Sequence, residues 1–189
     1  TSRYSKWRYV REFLDTLSPY SIIADVGCGN GKYLDYRKDI TVIGNDMCNS
    51  LLEYAKHKGE VLRANGLQLP YCNNIFDAVI SIAVLHHLST HELRKSFLSE
   101  IYRILRPGGR ALIVVWAAEQ QIKKKWKHIS NNDYFIPFHP NENESYDRFY
   151  HLFSKNEIED ISKEFGLTSN HFELDNWCII IEKAEQKSL

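Results

Sequence analysis

Ala24-Asp25-Val26-Gly27-Cys28-Gly29-Asn30-Gly31-Lys32-Tyr33-Leu34 is the stretch on which the reading of this chain turns. Ile22-Ile23-Ala24 leads into it as a short apolar run, the mark of a buried parallel strand. Three glycines at alternate positions follow, and Lys32-Tyr33-Leu34-Asp35-Tyr36 can open a helix. Glycine at such a turn admits positive φ and lets a ligand approach bare backbone. A helix start there adds free N–H groups and a positive dipole end. The pattern predicts a cofactor seat, and its Gly-x-Gly-x-Gly spacing differs from the Gly-x-Gly-x-x-Gly of pyrophosphate binders. Working outward, Thr41-Val42-Ile43-Gly44-Asn45-Asp46 reads as the next strand and ends on an acid. A carboxylate at that point accepts hydrogen bonds from both hydroxyls of a ribose and repels a phosphorylated one.

Asp-x-Gly-x-Gly-x-Gly is the signature of class I S-adenosylmethionine-dependent methyltransferases, and Asp25 to Gly31 matches it throughout. The chain resembles that family. The resemblance implies an α/β, Rossmann-like fold. Its sheet has seven mostly parallel strands with an antiparallel C-terminal hairpin and helices on both faces, in one domain over 1–189. It implies S-adenosylmethionine as cofactor, with the methionine part over the glycine turn, Asp46 on the ribose and the sulfonium toward the end of strand four. The cofactor residues it implies are Trp7, Asp25, Gly27, Cys28, Gly29, Gly31, Asp46, Met47, Asn65, Gly66, Ile82 and Ala83.

The bulk properties agree with one globular unit. The chain has 189 residues, 43% hydrophobic and 25% charged, enough to bury a core. No run is long or apolar enough to span a membrane. The chain opens without methionine and without a secretory pattern, which reads as a fragment. Cys28, Cys48, Cys72 and Cys178 are scattered with no Cys-x-x-Cys, so no zinc site or disulfide framework is expected. A reducing compartment follows, the cytoplasm or nucleus. The 24 basic and 24 acidic residues cancel, so RNA binding must use local patches.

Trp7, Val10, Phe13, Leu14 and Leu17 recur at helical spacing, and Ser18-Pro19 stops that helix. Arg3, Lys6, Arg8 and Arg11 read equally as a solvated helix start or as a lid over the cofactor. Leu51, Leu52, Tyr54 and Ala55 line the next helix, and Glu60–Ala64 is a short strand. Asn65 to Pro70 is a turn, where Asn65 offers an amide oxygen to adenine or simply favours the turn. Phe76–Leu88 is the fourth strand and its exit. Ligands sit outside the carboxyl ends of such strands, and His86 and His87 arise there, with His87 preferred as the pocket-facing one. Adjacent histidines make no metal site by themselves. Ser89 or Thr90 caps a helix striped by Leu93, Phe97, Ile101, Ile104 and Leu105. Arg106-Pro107-Gly108-Gly109-Arg110 turns it into strand five, Ala111–Trp116. Ser154 and Glu157 predict a capping box, Gly166 a helix stop, and Leu167–Leu174 with Trp177–Glu182 a hairpin.

Residues 117–147 break the alternation. Lys123-Lys124-Lys125-Trp126-Lys127-His128 is basic with one aromatic, and Asn131, Asn132, Pro137, Pro140, Asn141 and Asn143 are loop formers. The segment reads as a long substrate-side loop. Lysines for phosphate and a ring for stacking suit RNA, while alone the run reads as a solvated face. No Asn/Asp-Pro-Pro-Tyr/Phe element follows strand four and no cysteine follows a proline. Amino transfer to a base nitrogen and cytosine C5 chemistry are therefore disfavoured against direct transfer to an oxygen, or to a nucleophile needing little activation.

A narrower resemblance rests on Arg3-Tyr4-x-Lys6-Trp7, the glycine turn through Leu34, Gly44-Asn45-Asp46, Gly66–Pro70 and Ser81–His87. It extends to Trp116-Ala117-x-Glu119-Gln120, Arg148–Phe153 and Asp175-Asn176-Trp177. This set is similar to the eukaryotic tRNA wobble-uridine carboxymethyl methyltransferases, a free-standing enzyme and a domain of the AlkB-type tRNA hydroxylase. The family tends to have Asp where Asn65 stands, a proline after Trp7 and a longer insertion after Gln120. The resemblance implies methylation of the carboxylate of 5-carboxymethyluridine in a tRNA anticodon stem-loop. It also implies a small zinc-binding activator subunit adding a strand near strand three. A carboxylate is already ionised at neutral pH and needs aiming and dehydration, not a general base. Arg148 is the expected guanidinium clamp, with Arg3 the second choice, and His151, Asn176 and Trp177 are expected to read or stack the uracil, with His87 nearby. Arg148 also reads as a brace for the insertion, and Tyr150 and Phe153 as core. Two other functions stay open. One is a carboxyl methyltransferase for a small acid or protein carboxylate. The other is a dead scaffold, disfavoured by the intact Asp25, glycines and Asp46.

Overall fold

The computed structural model describes residues 7–141 and 144–185, so Arg3 and Lys6 lie outside the described residues. In chain order these residues form α1 (Arg8–Asp15), β1 (Ile22–Val26), β2 (Thr41–Asp46), α2 (Asn49–Ala55), β3 (Val61–Arg63) and β4 (Phe76–Ile82). A 3-10 turn (Leu85–His87), α3 (His91–Ile104) and β5 (Leu105–Trp116) follow, then β6 (Lys127–Ser130), β7 (Asp133–Asn141) and β8 (Glu144–His151). The chain closes with α4 (Lys155–Lys163), β9 (Leu167–Glu173) and β10 (Asn176–Glu182).

Seven strands make the main sheet in the order β3-β2-β1-β4-β5-β10-β9. The first five run parallel, and β10 pairs antiparallel with both β5 and β9. This is the expected architecture. β4 sits at the centre and is buried along nearly its whole length, because helices cover both faces. Val10, Phe13, Leu14 and Leu52 fill one layer against Ile23, Ile80 and Leu112. Phe97, Leu98, Ile101, Ile158 and Ile161 fill the other against Ala24, Val79 and Ile113. Each such side chain contributes roughly 1.5–3 kcal/mol on burial. Thr90 caps α3 by accepting from the Leu93 N–H at 3.2 Å.

Four local expectations change. Lys32–Tyr36 forms successive turns and not a helix. Tyr33 and Leu34 are neighbours and both buried, which no single helix face provides. Leu34 packs under Gly31, Gly44 and Gly59, and the Tyr33 hydroxyl accepts from the Trp7 N–H. The glycine turn therefore has no helix dipole behind it. In α2, Leu51 and Tyr54 are exposed and only Leu52 and Ala55 are buried. Arg106–Gly109 lies inside β5, where Leu105 already pairs with Phe76 and the register shifts before Arg110 meets Ala78. At α4, Ser154 accepts from the Glu157 N–H at 3.3 Å, but the Glu157 carboxylate turns to His151, so the reciprocal half of the capping box is given up.

The largest change is at the insertion. Lys127–Ser130, Asp133–Asn141 and Glu144–His151 form a second, antiparallel sheet, β6-β7-β8, and not a loop. Asn131, at φ +44°, and Asn132 make the tight turn between β6 and β7. Pro137 falls beyond the end of β6, on a strand edge, the setting in which a strand tolerates a residue without an N–H. The ribbon docks on the main sheet through stacked rings. Trp126 and Trp116 lie 5.7 Å apart, Trp116 and Tyr150 4.6 Å, Tyr150 and His86 5.2 Å. Tyr150 and Phe153 are core, as expected.

Candidate active site

A cavity of about 370 Å³ opens at the carboxyl ends of β1, β2 and β4. Gly27 and Gly29 line it, at φ +80° and +55°. A Cβ on Gly27 would stand 2.2 Å from Val84 Cγ2, whereas one on Gly29 would meet nothing nearer than Leu51 at 3.9 Å. Gly27 is thus required by packing and Gly29 leaves an open face to a ligand. The Asp46 carboxylate is held by two backbone donors: Gly29 N–H reaches Oδ2 at 2.9 Å and Cys48 N–H reaches Oδ1 at 2.8 Å. Each oxygen retains capacity for a further donor. Asn45 lines the same wall, and its buried Oδ1 has no partner among the described residues. Ala83, at φ +62°, follows β4 in a conformation costing roughly 1–2 kcal/mol and carries the chain into Val84 and His87.

His87 and Arg148 close the far side. Nδ1 of His87 donates to the Phe149 carbonyl at 3.0 Å, since the carbonyl can only accept, which leaves Nε2 without a proton. Burial, and then Arg148, push His87 down to about 4, so the ring is neutral at physiological pH. His86 is buried, and its Nδ1 accepts from the Trp116 N–H. Val84, Leu88 and Phe97 complete an apolar wall.

Residues 24–113 match the methyltransferase domain family. The tRNA (carboxymethyluridine(34)-5-O)-methyltransferase of Schizosaccharomyces pombe is 34% identical, over 96% of this chain and 90% of that protein. The chain belongs to the tRNA (carboxymethyluridine(34)-5-O)-methyltransferase family. The alkbh8 protein of that name from Xenopus tropicalis is 32% identical over 97% of this chain, but the chain spans only 38% of its length. The Arabidopsis thaliana relative is 46% identical over 69% of this chain and 33% of its own. A solved S-adenosylmethionine-dependent methyltransferase from Methanosarcina mazei shares the fold, with a TM-score of 0.80 at 20% identity, covering 96% of this chain and all of that one.

S-adenosylmethionine, the cofactor of this family, suits the cavity. The fixed Asp46 carboxylate, the open face of Gly29 and the unpartnered Asn45 oxygen are acceptors and space for a hydroxylated, cationic ligand. Of the cofactor residues expected from sequence, Gly27, Gly29, Asp46, Met47, Gly66, Ile82 and Ala83 line the cavity. The others serve it from outside or not at all. Cys28 is buried with its thiol pushed up to about 12, mainly by that burial. Gly31 is there because a Cβ would strike Leu34 and the Ala55 backbone. Asn65 is exposed, and its Oδ1 accepts from the Leu67 N–H, so it is a turn residue. Trp7 is the N-cap of α1 and lines no part of the cavity. In a titration with S-adenosylmethionine, Asp46→Ala is expected to weaken binding roughly ten- to hundredfold, the worth of a charged hydrogen bond. An unchanged dissociation constant would remove Asp46 from the ribose.

Asp25 lies beneath the seat. Burial, and then the neighbouring Asp46, push its carboxyl up to about 7. The folded chain keeps this proton where the unfolded chain, near 4, has released it. Its contribution to stability is therefore full below about pH 4 and is lost as pH rises to about 7. His86 and His87, both lowered, act in the opposite sense, adding stability as pH rises toward about 6.5. The expected result is that Asp25→Asn gains on the wild type in urea-unfolding free energy as pH goes from 4 to 7. Parallel profiles would show Asp25 ionised throughout.

Among the substrate candidates, Arg148 and His87 come together at the cavity and three others do not. His151 is 6% exposed and clamped, with Nδ1 on Asp133 and Nε2 on Glu157, each at 2.6 Å. Arg94 completes that cluster at 3.7 Å from Asp133 and 3.5 Å from Glu157. Asn176 braces the β9–β10 turn by donating to the Glu173 and Leu174 carbonyls. Trp177 is buried and donates to Glu119 at 2.9 Å. Sequence reasoning missed Val26, Asn45, Leu51, Ala64, Val84, Leu88 and Phe97 as cavity residues. Their signal was position only, at or just past the carboxyl ends of the strands and on the helices that follow.

Proposed function

We propose that this protein methylates the carboxylate of 5-carboxymethyluridine at the wobble position of tRNA, giving the methyl ester. The observation that carries the reading is Arg148, a guanidinium that lines the cofactor cavity and has no carboxylate partner among the described residues. A cation with no acid to neutralise it among the described residues, steadied by the Tyr150 hydroxyl and the Phe138 ring beside a methyl-donor seat, is a site for an anionic acceptor. S-adenosylmethionine supplies, when bound, an electrophilic methyl group. The chain supplies placement. Arg148 holds one carboxylate oxygen and leaves the other free. Ile82, Val84, Leu88 and Phe97 exclude water from it. Neutral His87 adds no second positive charge that would blunt the nucleophile. No general base is required, because the acceptor is ionised well below pH 7.

The tRNA reading draws support from the relatives' names and from Lys123, Lys124 and Lys125, exposed in the turn that leads into β6 on the substrate-side insertion, 117–147. A small zinc-binding activator would find β3, a three-residue edge strand, and exposed Tyr54 on α2 beside it. Co-expression raising the yield of folded protein would support that subunit. No helix of the described residues is long and apolar enough to cross a membrane. Four free cysteines fit a reducing compartment such as the cytoplasm. The deciding experiment is transfer of a labelled methyl group to tRNA carrying the free carboxymethyl base. Base-labile counts are expected in the RNA. Absence of label with normal cofactor binding, or base-stable label, would overturn the reading.

A further inference from the structure

We propose that the outer end of the β7–β8 ribbon is a stacking subsite for the nucleobase adjacent to the one being methylated. The proposal rests on the tRNA reaction assigned above. Cross-strand pairing sets Ile136 opposite Arg148 and Phe138 opposite Tyr146. Side chains two residues apart share a face of a strand, so Arg148, Tyr146 and Phe138 lie on one face. Because Arg148 lines the cavity, that face is a continuation of the cavity rim.

The row of rings along this face changes character from one end to the other. Tyr150 is 7% exposed and packed into the core stack, whereas Tyr146, two pairs outward, is 52% exposed. Phe138 and Tyr146 stand with centroids 5.4 Å apart, and the Arg148 guanidinium lies 5.5 Å from the Phe138 centroid. Arg148 is thereby held between its cavity position and an aromatic ledge. The neighbouring Asp147 is neutralised by Lys127 at 2.5 Å, which lowers the repulsion an RNA phosphate would meet. Exposed rings beside a cation-lined pocket suit bases of a single strand.

The spacing favours a neighbour that has left the base stack. Two residues of strand advance about 6.6 Å. That is roughly twice the ~3.4 Å rise between stacked bases. A base held by Tyr146 and Phe138 is therefore unstacked from the target base, which frees the target to enter the cavity.

The test uses an anticodon stem-loop RNA with 5-carboxymethyluridine at the wobble position and 2-aminopurine on its 5′ or its 3′ side, in two separate molecules. Binding is followed with S-adenosylhomocysteine present so that nothing turns over. The wild type is expected to change the fluorescence of one of the two labels. Tyr146→Ala is expected to lose that change and to raise the KM for the stem-loop about tenfold, within the range of one base–aromatic stack. Tyr146→Phe, which keeps the ring, is expected to restore both. Unaltered fluorescence of both labels in the wild type, or a wild-type response in Tyr146→Ala, overturns the subsite. If the wild type methylates the RNA normally in either case, only the subsite fails. If it does not methylate the RNA at all, the assigned reaction fails with it.

Discussion

Arg148→Ala is expected to lower ester formation by about two to three orders of magnitude, the usual cost of deleting one preorganised charge-stabilising donor. Binding of S-adenosylmethionine should stay within about twofold of wild type, because the acceptors on Asp46 and Asn45 are untouched. The loss has two sources. The acceptor carboxylate no longer has a fixed partner, so the productive orientation becomes one among many. The cavity also loses the only cationic side chain that lines it among the described residues. Arg148→Lys keeps the charge but not the planar fork, and the residue no longer rests on the Phe138 ring in the same way, so an intermediate rate is expected. Single-turnover rates and calorimetric cofactor titration on the same preparations check both halves. Normal turnover in Arg148→Ala would place the anion elsewhere. Because Arg148 also helps to lower His87, the variant should raise the pH at which that histidine takes up a proton.

The second large effect is on stability. Arg94 is 5% exposed, and its guanidinium serves several elements at once. It lies 3.7 Å from Asp133 at the start of β7 and 3.5 Å from Glu157 in α4. It donates to the Leu88 carbonyl at 3.0 Å and packs 5.5 Å from the Phe153 ring centroid. Arg94→Met keeps much of the volume and removes the charge, leaving Asp133 and Glu157 with His151 as their shared partner and Asp133 with the Ser130 hydroxyl besides. Truncating one partner in a buried ionic cluster costs about 3–5 kcal/mol. For a chain of this length that lowers the melting temperature by roughly 10 °C. Urea unfolding at neutral pH measures it, and a change under about 1 kcal/mol would mean that water replaces the guanidinium without cost.

Much of the fold could be read from residues because its signals are local. Apolar runs such as Val79–Ile82 and Ile113–Val115 announce buried parallel strands, and Thr90 and Ser154 stand where helices need an N-cap. The seat was legible because positive φ and close approach restrict Gly27 and Gly29 to one residue type. The ribbon was not, because Pro137 and the asparagines carry the stronger loop signal. The alternation of Tyr134, Ile136 and Phe138 with Tyr146, Arg148 and Tyr150 was the available cue to strands. The expected helix after Gly31 failed for a tertiary reason, the joint burial of Tyr33 and Leu34. His151, Asn176 and Trp177 have residue types common at RNA sites. Their partners, Asp133 with Glu157, the Glu173 and Leu174 carbonyls, and Glu119, are set by packing that a linear pattern does not show.

The file of rings from Trp126 to His86 gives the ribbon a signal of its own. Trp116 and Trp126 face each other at 5.7 Å and 19°. Indoles fixed so closely in an asymmetric setting give strong near-ultraviolet circular dichroism. The other tryptophans, Trp7 and Trp177, belong to the main-sheet layers. Peeling of the small sheet from the large one should lower that near-ultraviolet signal while most far-ultraviolet ellipticity persists, so partial opening of the ribbon can be timed separately from global unfolding.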